Sequence, residues 1–94
     1  MAFVLVRHKV KDYLQWKFVF VEHAITRKVT GSQGGQLFRN QDDPAEVFIL
    51  MEWDSLDNAR RFVGSQDLKD AMERAGAVVP ADIVFLEKVE TPSW

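Results

Sequence analysis

One predicted helix carries four residues whose side chains could bind a ligand or transfer a proton. Trp16 and Phe20 lie on an aromatic stripe, and His23 and Arg27 lie beside it on the following turns. Histidine can transfer a proton near neutral pH, and arginine can grip an anion with two parallel hydrogen bonds. This pattern predicts a ligand pocket or a contact between protein copies. The alternative is a peripheral aromatic core beside a surface histidine.

Two further candidates lie on predicted strands. His8 shares a side of the first strand with Val4 and Val6, so it could reach a cavity; the alternative is a strand-end histidine with its hydrogen bonds satisfied. Trp53 ends the third strand and either lines a cavity or belongs to the core. His8 and His23 come from distant elements and the chain has no cysteine, so we expect no metal site. No glycine-rich nucleotide fingerprint is present, and we expect no cofactor.

Length and composition limit the classes of protein. The 94 residues suit one domain over 1–94, and 47% hydrophobic with 28% charged residues is an ordinary globular balance. A net charge of −2, with both signs mixed, argues against nucleic-acid binding. The apolar residues 1–6 run directly into Arg7, which predicts a strand and not a signal peptide. We expect a cytoplasmic protein without a membrane partner.

Alternating apolar runs and breaker residues predict the elements that would position these side chains. Strands are predicted at 3–10, 35–40, 46–53 and 82–89, one helix at 12–29, and two helical segments between 54 and 76. Helices are expected to start at Asp12, at Asp54 or Ser55, and at Ser65, and to stop at Gly31, Gly64 and Gly76. The order β-α-β-β-α-β predicts a ferredoxin-like α+β fold with a four-stranded antiparallel sheet and both helical regions on one face.

The predicted sheet is apolar on both sides. A strand with one solvent-exposed face should alternate apolar and polar residues. Three of the predicted strands lack this alternation. In the first strand, Phe3 and Leu5 point to one side and Val4 and Val6 to the other. In the third strand, Val47, Ile49, Met51 and Trp53 oppose Phe48 and Leu50. In the fourth strand, Ile83 and Phe85 oppose Val84 and Leu86. Burying one such side chain stabilises a protein by about 1.5–3 kcal/mol. Leaving six of them exposed to solvent would therefore lose stabilisation on the order of 10 kcal/mol. A second copy covering this face is the simplest solution; the alternative is an apolar face tolerated on the surface.

The long predicted helix also carries two apolar stripes. The aliphatic stripe, named for its predominant residue type, consists of Leu14, Phe18, Val21, Ile25 and Val29. The aromatic stripe consists of Tyr13, Trp16, Phe20 and Ala24. One stripe should pack on the sheet. An aromatic stripe is unusual on a solvent-exposed face, which is why its residues are candidates for a pocket.

Several segments resemble the dimeric α+β barrel superfamily and, within it, the antibiotic-biosynthesis-monooxygenase-like branch. They are Asp12-Tyr13-x-x-Trp16-x-x-x-Phe20-x-x-His23-x-x-x-Arg27, Asp43-Pro44, Glu52-Trp53-Asp54-Ser55, Phe62, and Ala71-Met72-x-x-Ala75-Gly76. The resemblance implies a homodimer paired through its sheets. It also implies chemistry such as cofactor-free oxygenation of aromatic polyketides, haem degradation or isomerisation. The haem-degrading members imply a histidine in the second helical region, and residues 55–76 contain none.

Two functions from different classes follow. The first is a small cofactor-free monooxygenase, isomerase or cyclase acting on an aromatic or polyketide-like substrate in an apolar pocket. His23 or His8 would accept the proton, Arg27 would hold an anion, and Trp16, Phe20 and Trp53 would contact the substrate. The alternative is a non-catalytic homodimeric module that binds a small hydrophobic ligand. RNA binding by a fold of the same element order is disfavoured, because the strand at 46–53 has acidic ends and no Lys, Arg or Gly.

Overall fold

The computed structural model describes residues 1–78 and 80–94 and shows one antiparallel sheet with helices on one side. The elements are β1 (Ala2–Lys9), α1 (Tyr13–Glu22), α2 (Ala24–Thr30), β2 (Ser32–Arg39), β3 (Glu46–Trp53), α3 (Leu56–Val63), α4 (Gln66–Arg74) and β4 (Asp82–Leu86). The strand order is β2-β3-β1-β4, and every neighbouring pair is antiparallel. This confirms the predicted ferredoxin-like α+β fold, in which β2 and β3 pair as a hairpin.

Side-chain caps define where the helices begin. The Asp12 carboxylate accepts a hydrogen bond from the Leu14 N–H at 3.0 Å at the start of α1. The hydroxyls of Ser55 and Ser65 cap α3 and α4 in the same way. Each cap satisfies a backbone donor that the helix leaves unpaired and is worth about 1 kcal/mol. At the end of α2, Gly31 has a φ of 123°, which a glycine adopts without a steric penalty.

Three predicted elements differ from the observed ones by a break or by more than one residue. The helix expected over 12–29 is two helices, because the backbone of His23 leaves the helical region at φ −80° and ψ 0°. β2 begins at Ser32 and not at residue 35, because its pairing with β3 continues through a bulge between Ser32 and Gly34. β4 ends at Leu86 and not at residue 89, because its partner β1 has only one residue left beyond Phe3, which lies opposite Leu86.

The core lies between the helices and one face of the sheet. That face carries the buried side chains Val4, Val6, Val47, Ile49, Met51 and Trp53. The aromatic stripe of α1 packs on it: Trp16 is 3% exposed, whereas Phe18 on the aliphatic stripe is 69% exposed. The aliphatic stripe therefore faces outward along α1 and α2. Large aromatic rings bury more area than aliphatic side chains, which favours the observed orientation.

The opposite face of the sheet carries the second apolar set. Its members are Phe3, Leu5, Phe38, Phe48, Leu50, Val84 and Leu86, each half-buried or exposed in the single chain. The strand register places Leu5 between Leu50 and Val84, so these side chains form one continuous surface. None of the helices formed by residues 1–78 and 80–94 combines the length and the apolarity needed to cross a membrane.

Candidate functional site

A small apolar cavity of about 60 Å³ lies between the helices and the buried face of the sheet. Five of the six side chains predicted as site residues line it: His8, Trp16, Phe20, His23 and Arg27. β1 contributes His8, and α1 and α2 contribute the others. His8, His23 and the aromatic residues Trp16 and Phe20, which were separate candidates in the sequence, therefore line one cavity in the folded chain.

His23 lies at the break between α1 and α2 and is 8% exposed. Its Nε2 lies 2.8 Å from Oδ2 of Asp67, which belongs to the first turn of α4. A carboxylate in this position fixes the orientation of an imidazole ring. Asp67 was not predicted from the sequence, because it lies 44 residues away from His23 in the chain. An acidic residue in the first turn of a helix is also explained by its favourable interaction with the helix dipole, so it gives no signal of a site.

His8 is 6% exposed, and neither of its ring nitrogens has a hydrogen-bond partner among the described residues. Burial lowers the pKa of His8, so the ring is neutral near pH 7. The ring of Trp16 lies edge-on to it, with the ring centres 5.8 Å apart. Buried polar atoms without a partner are costly, so a ligand that hydrogen-bonds to His8 would gain binding free energy there.

Aromatic stacking continues from Trp16 to a cation. The rings of Trp16 and Phe20 are stacked with centres 5.0 Å apart, and the guanidinium carbon of Arg27 lies 3.9 Å from the centre of the Phe20 ring. Burial lowers the pKa of Arg27 by removing water from its charge. In the part of the chain that the structure describes, Arg27 belongs to no ion pair. Its charge is therefore available to a bound anion.

Trp53 is fully buried and does not line the cavity. Its ring centre lies 4.8 Å from that of Phe62, and Phe62 in turn contacts His23 with ring centres 5.8 Å apart. Trp53 therefore packs behind Phe62, which lines the cavity. Across residues 1–78 and 80–94, no three His, Cys, Asp or Glu side chains come close enough together to hold a metal ion.

Comparison with known proteins places this geometry in a family. A family model described as antibiotic biosynthesis monooxygenase matches residues 6–74. No curated protein matches the sequence.

Solved structures share the fold at low sequence identity. The cofactor-independent oxygenase SnoaB from Streptomyces nogalater is 16% identical, covers 96% of this chain and 93% of its own, and has a TM-score of 0.75. A Caulobacter crescentus CB15 protein, provisionally assigned as an antibiotic biosynthesis monooxygenase, is 22% identical over 95% of this chain and 90% of its own, with a TM-score of 0.75. A Bordetella bronchiseptica protein with the same provisional assignment is 16% identical over 95% and 97%, with a TM-score of 0.78.

The family match covers most of the chain, including the cavity-lining residues of β1, α1, α2, β3, α3 and α4. It supports a monooxygenase-like enzyme that acts on a small molecule. The chain belongs to the antibiotic biosynthesis monooxygenase family.

Proposed function

We propose that this protein oxidises an acidic aromatic small molecule with molecular oxygen, without a metal or an organic cofactor, in the cavity between the helices and the sheet. The observation that carries the proposal is the meeting of the His23–Asp67 pair and the unpartnered His8 in one apolar cavity. A cavity with few, convergent polar groups is the usual form of a small-molecule site.

The substrate itself can supply every electron that the reaction needs. Removal of a proton from an acidic CH₂ between aromatic rings leaves an electron-rich carbanion, which can reduce O₂ and form a carbon–oxygen bond. The resulting hydroperoxide loses water and leaves a carbonyl group. One oxygen atom enters the product, and the other leaves in water with the two hydrogens of the original CH₂. The protein has to accept a proton, hold the anion and exclude bulk water.

Each predicted site residue has a role in this scheme. His23 is the proton acceptor: Asp67 holds Nε2, so Nδ1 is the nitrogen that takes the substrate proton. His8 remains neutral in its apolar surroundings and hydrogen-bonds the substrate oxygen. Trp16 and Phe20 contact the aromatic ring, and Arg27 holds the developing anion. Trp53 supports the site by packing behind Phe62.

We also propose that the protein works as a homodimer paired through the open face of the sheet. The continuous apolar surface around Leu5 and Leu50 supports this, since a second copy would remove it from water. Pairing would stabilise the sheet on which His8 lies. The two copies would then each keep a cavity on the opposite, helix-covered face.

The alternative function is a non-catalytic dimeric module that binds a small hydrophobic molecule. The apolar lining of the cavity is compatible with this alternative. Its volume of about 60 Å³ is well below the roughly 150 Å³ of an apolar cavity that accepts benzene, so an aromatic ligand does not fit the cavity as observed in either case. In its present form the cavity has room for a molecule the size of dioxygen or for a few waters. Turnover of an aromatic substrate requires it to open.

Oxygen consumption with anthrone, an aromatic ketone with an acidic CH₂, separates the two functions. We expect the protein to accelerate O₂ uptake and to place one atom of ¹⁸O₂ in the product, read by mass spectrometry. His23→Gln should lower the rate about 10²–10⁴-fold, the usual contribution of a general base. Asp67→Asn should lower it less, and Asp70→Asn, one turn along α4 and bonded to Gln66, is the matched control. A wild-type rate equal to that of buffer would overturn the proposal and favour the binding module.

A further inference from the structure

A larger groove of about 310 Å³ lies beside the cavity, between α2 and the first half of β2. The groove and the cavity share four lining residues: Phe20, Arg27, Ile49 and Met51. These four residues therefore lie on the boundary of both spaces. Ile49 and Met51 are buried parts of the sheet, whereas Phe20 and Arg27 are only partly buried on the helical side.

Glycines keep the groove open on the side of β2. Neither Gly34 nor Gly35 places a side chain in it, and both line the groove. The φ of Gly34 is +114°, a conformation that other residues rarely adopt. At Gly35 an added Cβ would collide with the carbonyl oxygen of Leu50. The local backbone thus excludes side chains at two successive positions of the groove wall.

The charge of the groove is positive. Arg27 and Lys28 both line it, and the described residues that line it include no Asp or Glu. Burial has removed part of the water from the guanidinium of Arg27, whose carbon lies 3.9 Å from the centre of the Phe20 ring. Among the described residues it has no ion-pair partner. A cation–π contact is weaker than a hydrogen-bonded pair of opposite charges. An anion arriving through the groove would therefore compete successfully with Phe20 for Arg27.

We propose that the groove between α2 and β2 is the entrance to the cavity, and that Phe20 and Arg27 form a gate that an aromatic anion opens. The anionic group binds Arg27, the Phe20 ring leaves the guanidinium, and the groove and cavity become one space long enough for an aromatic ligand. This inference rests on the proposed function in that it takes the cavity as the reaction site. It adds the charge of the ligand, its route and the residues that select it.

A pair of ligands that differ only in charge tests the selection. 2-Naphthoate carries a carboxylate where 2-naphthamide carries a neutral amide, and calorimetric titration gives both dissociation constants without any turnover. We expect wild-type protein to prefer the carboxylate roughly tenfold or more, as for a hydrogen-bonded charge pair. Arg27→Gln should reduce the ratio to about one, and Arg27→Lys should retain part of it.

Arg61→Gln is the matched control, since it removes the same charge from α3 outside the groove. It should leave the carboxylate preference unchanged. Equal binding of both ligands by wild type, no binding of either, or a preference that survives Arg27→Gln would each overturn the inference.

The gate is tested by rate. Phe20→Leu removes the ring that covers Arg27 while keeping an apolar side chain, so association of 2-naphthoate should become several-fold faster. Quenching of tryptophan fluorescence in a stopped-flow instrument reports the rate, because Trp16 lies against Phe20. An unchanged association rate would overturn the gate. These binding experiments are independent of oxidation, so an inactive protein that still prefers the carboxylate through Arg27 would refute the oxygenase and not the entrance.

Discussion

The two histidines share one cavity but differ in what surrounds them. His23 is fixed by a carboxylate on another helix, whereas His8 lies among apolar and aromatic side chains with both ring nitrogens unpartnered in the described structure. Burial lowers the pKa of His8 and favours its neutral ring, whereas the Asp67 carboxylate fixes the orientation of the His23 ring. Two residues of one type thus have different surroundings within one cavity. In the reaction that we propose, His23 takes the proton while His8 hydrogen-bonds the substrate.

The neutral state of His8 predicts how stability depends on pH. Its pKa is lowered in the folded chain by burial, so the unfolded chain binds more protons once the pH falls below about 6.5. The free energy of unfolding should therefore decrease as the pH falls through this window towards the folded-state pKa. Urea unfolding at several pH values between about 7 and 5 measures this slope. In His8→Leu the free energy of unfolding should fall less steeply as the pH decreases. The same slope in wild type and variant would contradict the lowered pKa of His8.

At the scale of elements, the decisive feature is the orientation of α1. Its aromatic stripe lies on the sheet and forms one wall of the cavity, while its aliphatic stripe faces outward. α1 ends at His23, the candidate base. α4 begins after its cap at Ser65, two residues before Asp67. The ends of two helices therefore meet at the His23–Asp67 pair.

This orientation predicts unequal costs for two neighbouring substitutions. Trp16→Ala should lower the free energy of unfolding by about 3–5 kcal/mol, because it removes a large buried ring and leaves a cavity. Phe18→Ala should change it by no more than about 0.5 kcal/mol, since that ring is mostly exposed. Urea denaturation of both variants measures the difference. Equal costs would mean that the aliphatic stripe is covered in solution.

At the scale of the whole molecule, two apolar surfaces lie on opposite sides of the chain. One is the open face of the sheet, and the other is the aliphatic stripe of α1 and α2. The sheet surface is the broader one, because it extends across all four strands from Phe38 on β2 to Val84 and Leu86 on β4. It is therefore the surface through which we propose that two copies pair.

A charge at the centre of that surface should separate the copies. Leu5 lies opposite both Leu50 and Val84 in the register, so Leu5→Glu would bury a carboxylate in the proposed contact. Light scattering should then give a mass near the 10.8 kDa of one chain, whereas the wild type should give about twice that mass. Val21→Glu on the aliphatic stripe is the control and should stay dimeric. A wild-type protein that is monomeric at micromolar concentration would refute the pairing.

Local sequence determined the features that depend on neighbouring residues. The strand at 46–53, the caps at Asp12, Ser55 and Ser65, the stops at glycine and the order of elements all follow from side-chain periodicity and from backbone groups that must be satisfied within one turn. The resemblance carried by the spacing along α1 and α2 also led to the family that the chain belongs to. The apolar character of both sheet faces was visible for the same reason, because side chains alternate across a strand.

Tertiary structure alone decided which stripe of α1 is buried, that the helix breaks at His23, and that Trp53 lies behind Phe62. It also supplied Asp67, whose contact with His23 joins residues that are 44 positions apart in the chain. Periodicity shows that a helix has two apolar faces, but only packing against a particular sheet selects one of them. The cavity and its neighbouring groove arise in the same way, from the fit of separate elements, and no local pattern encodes a space between them.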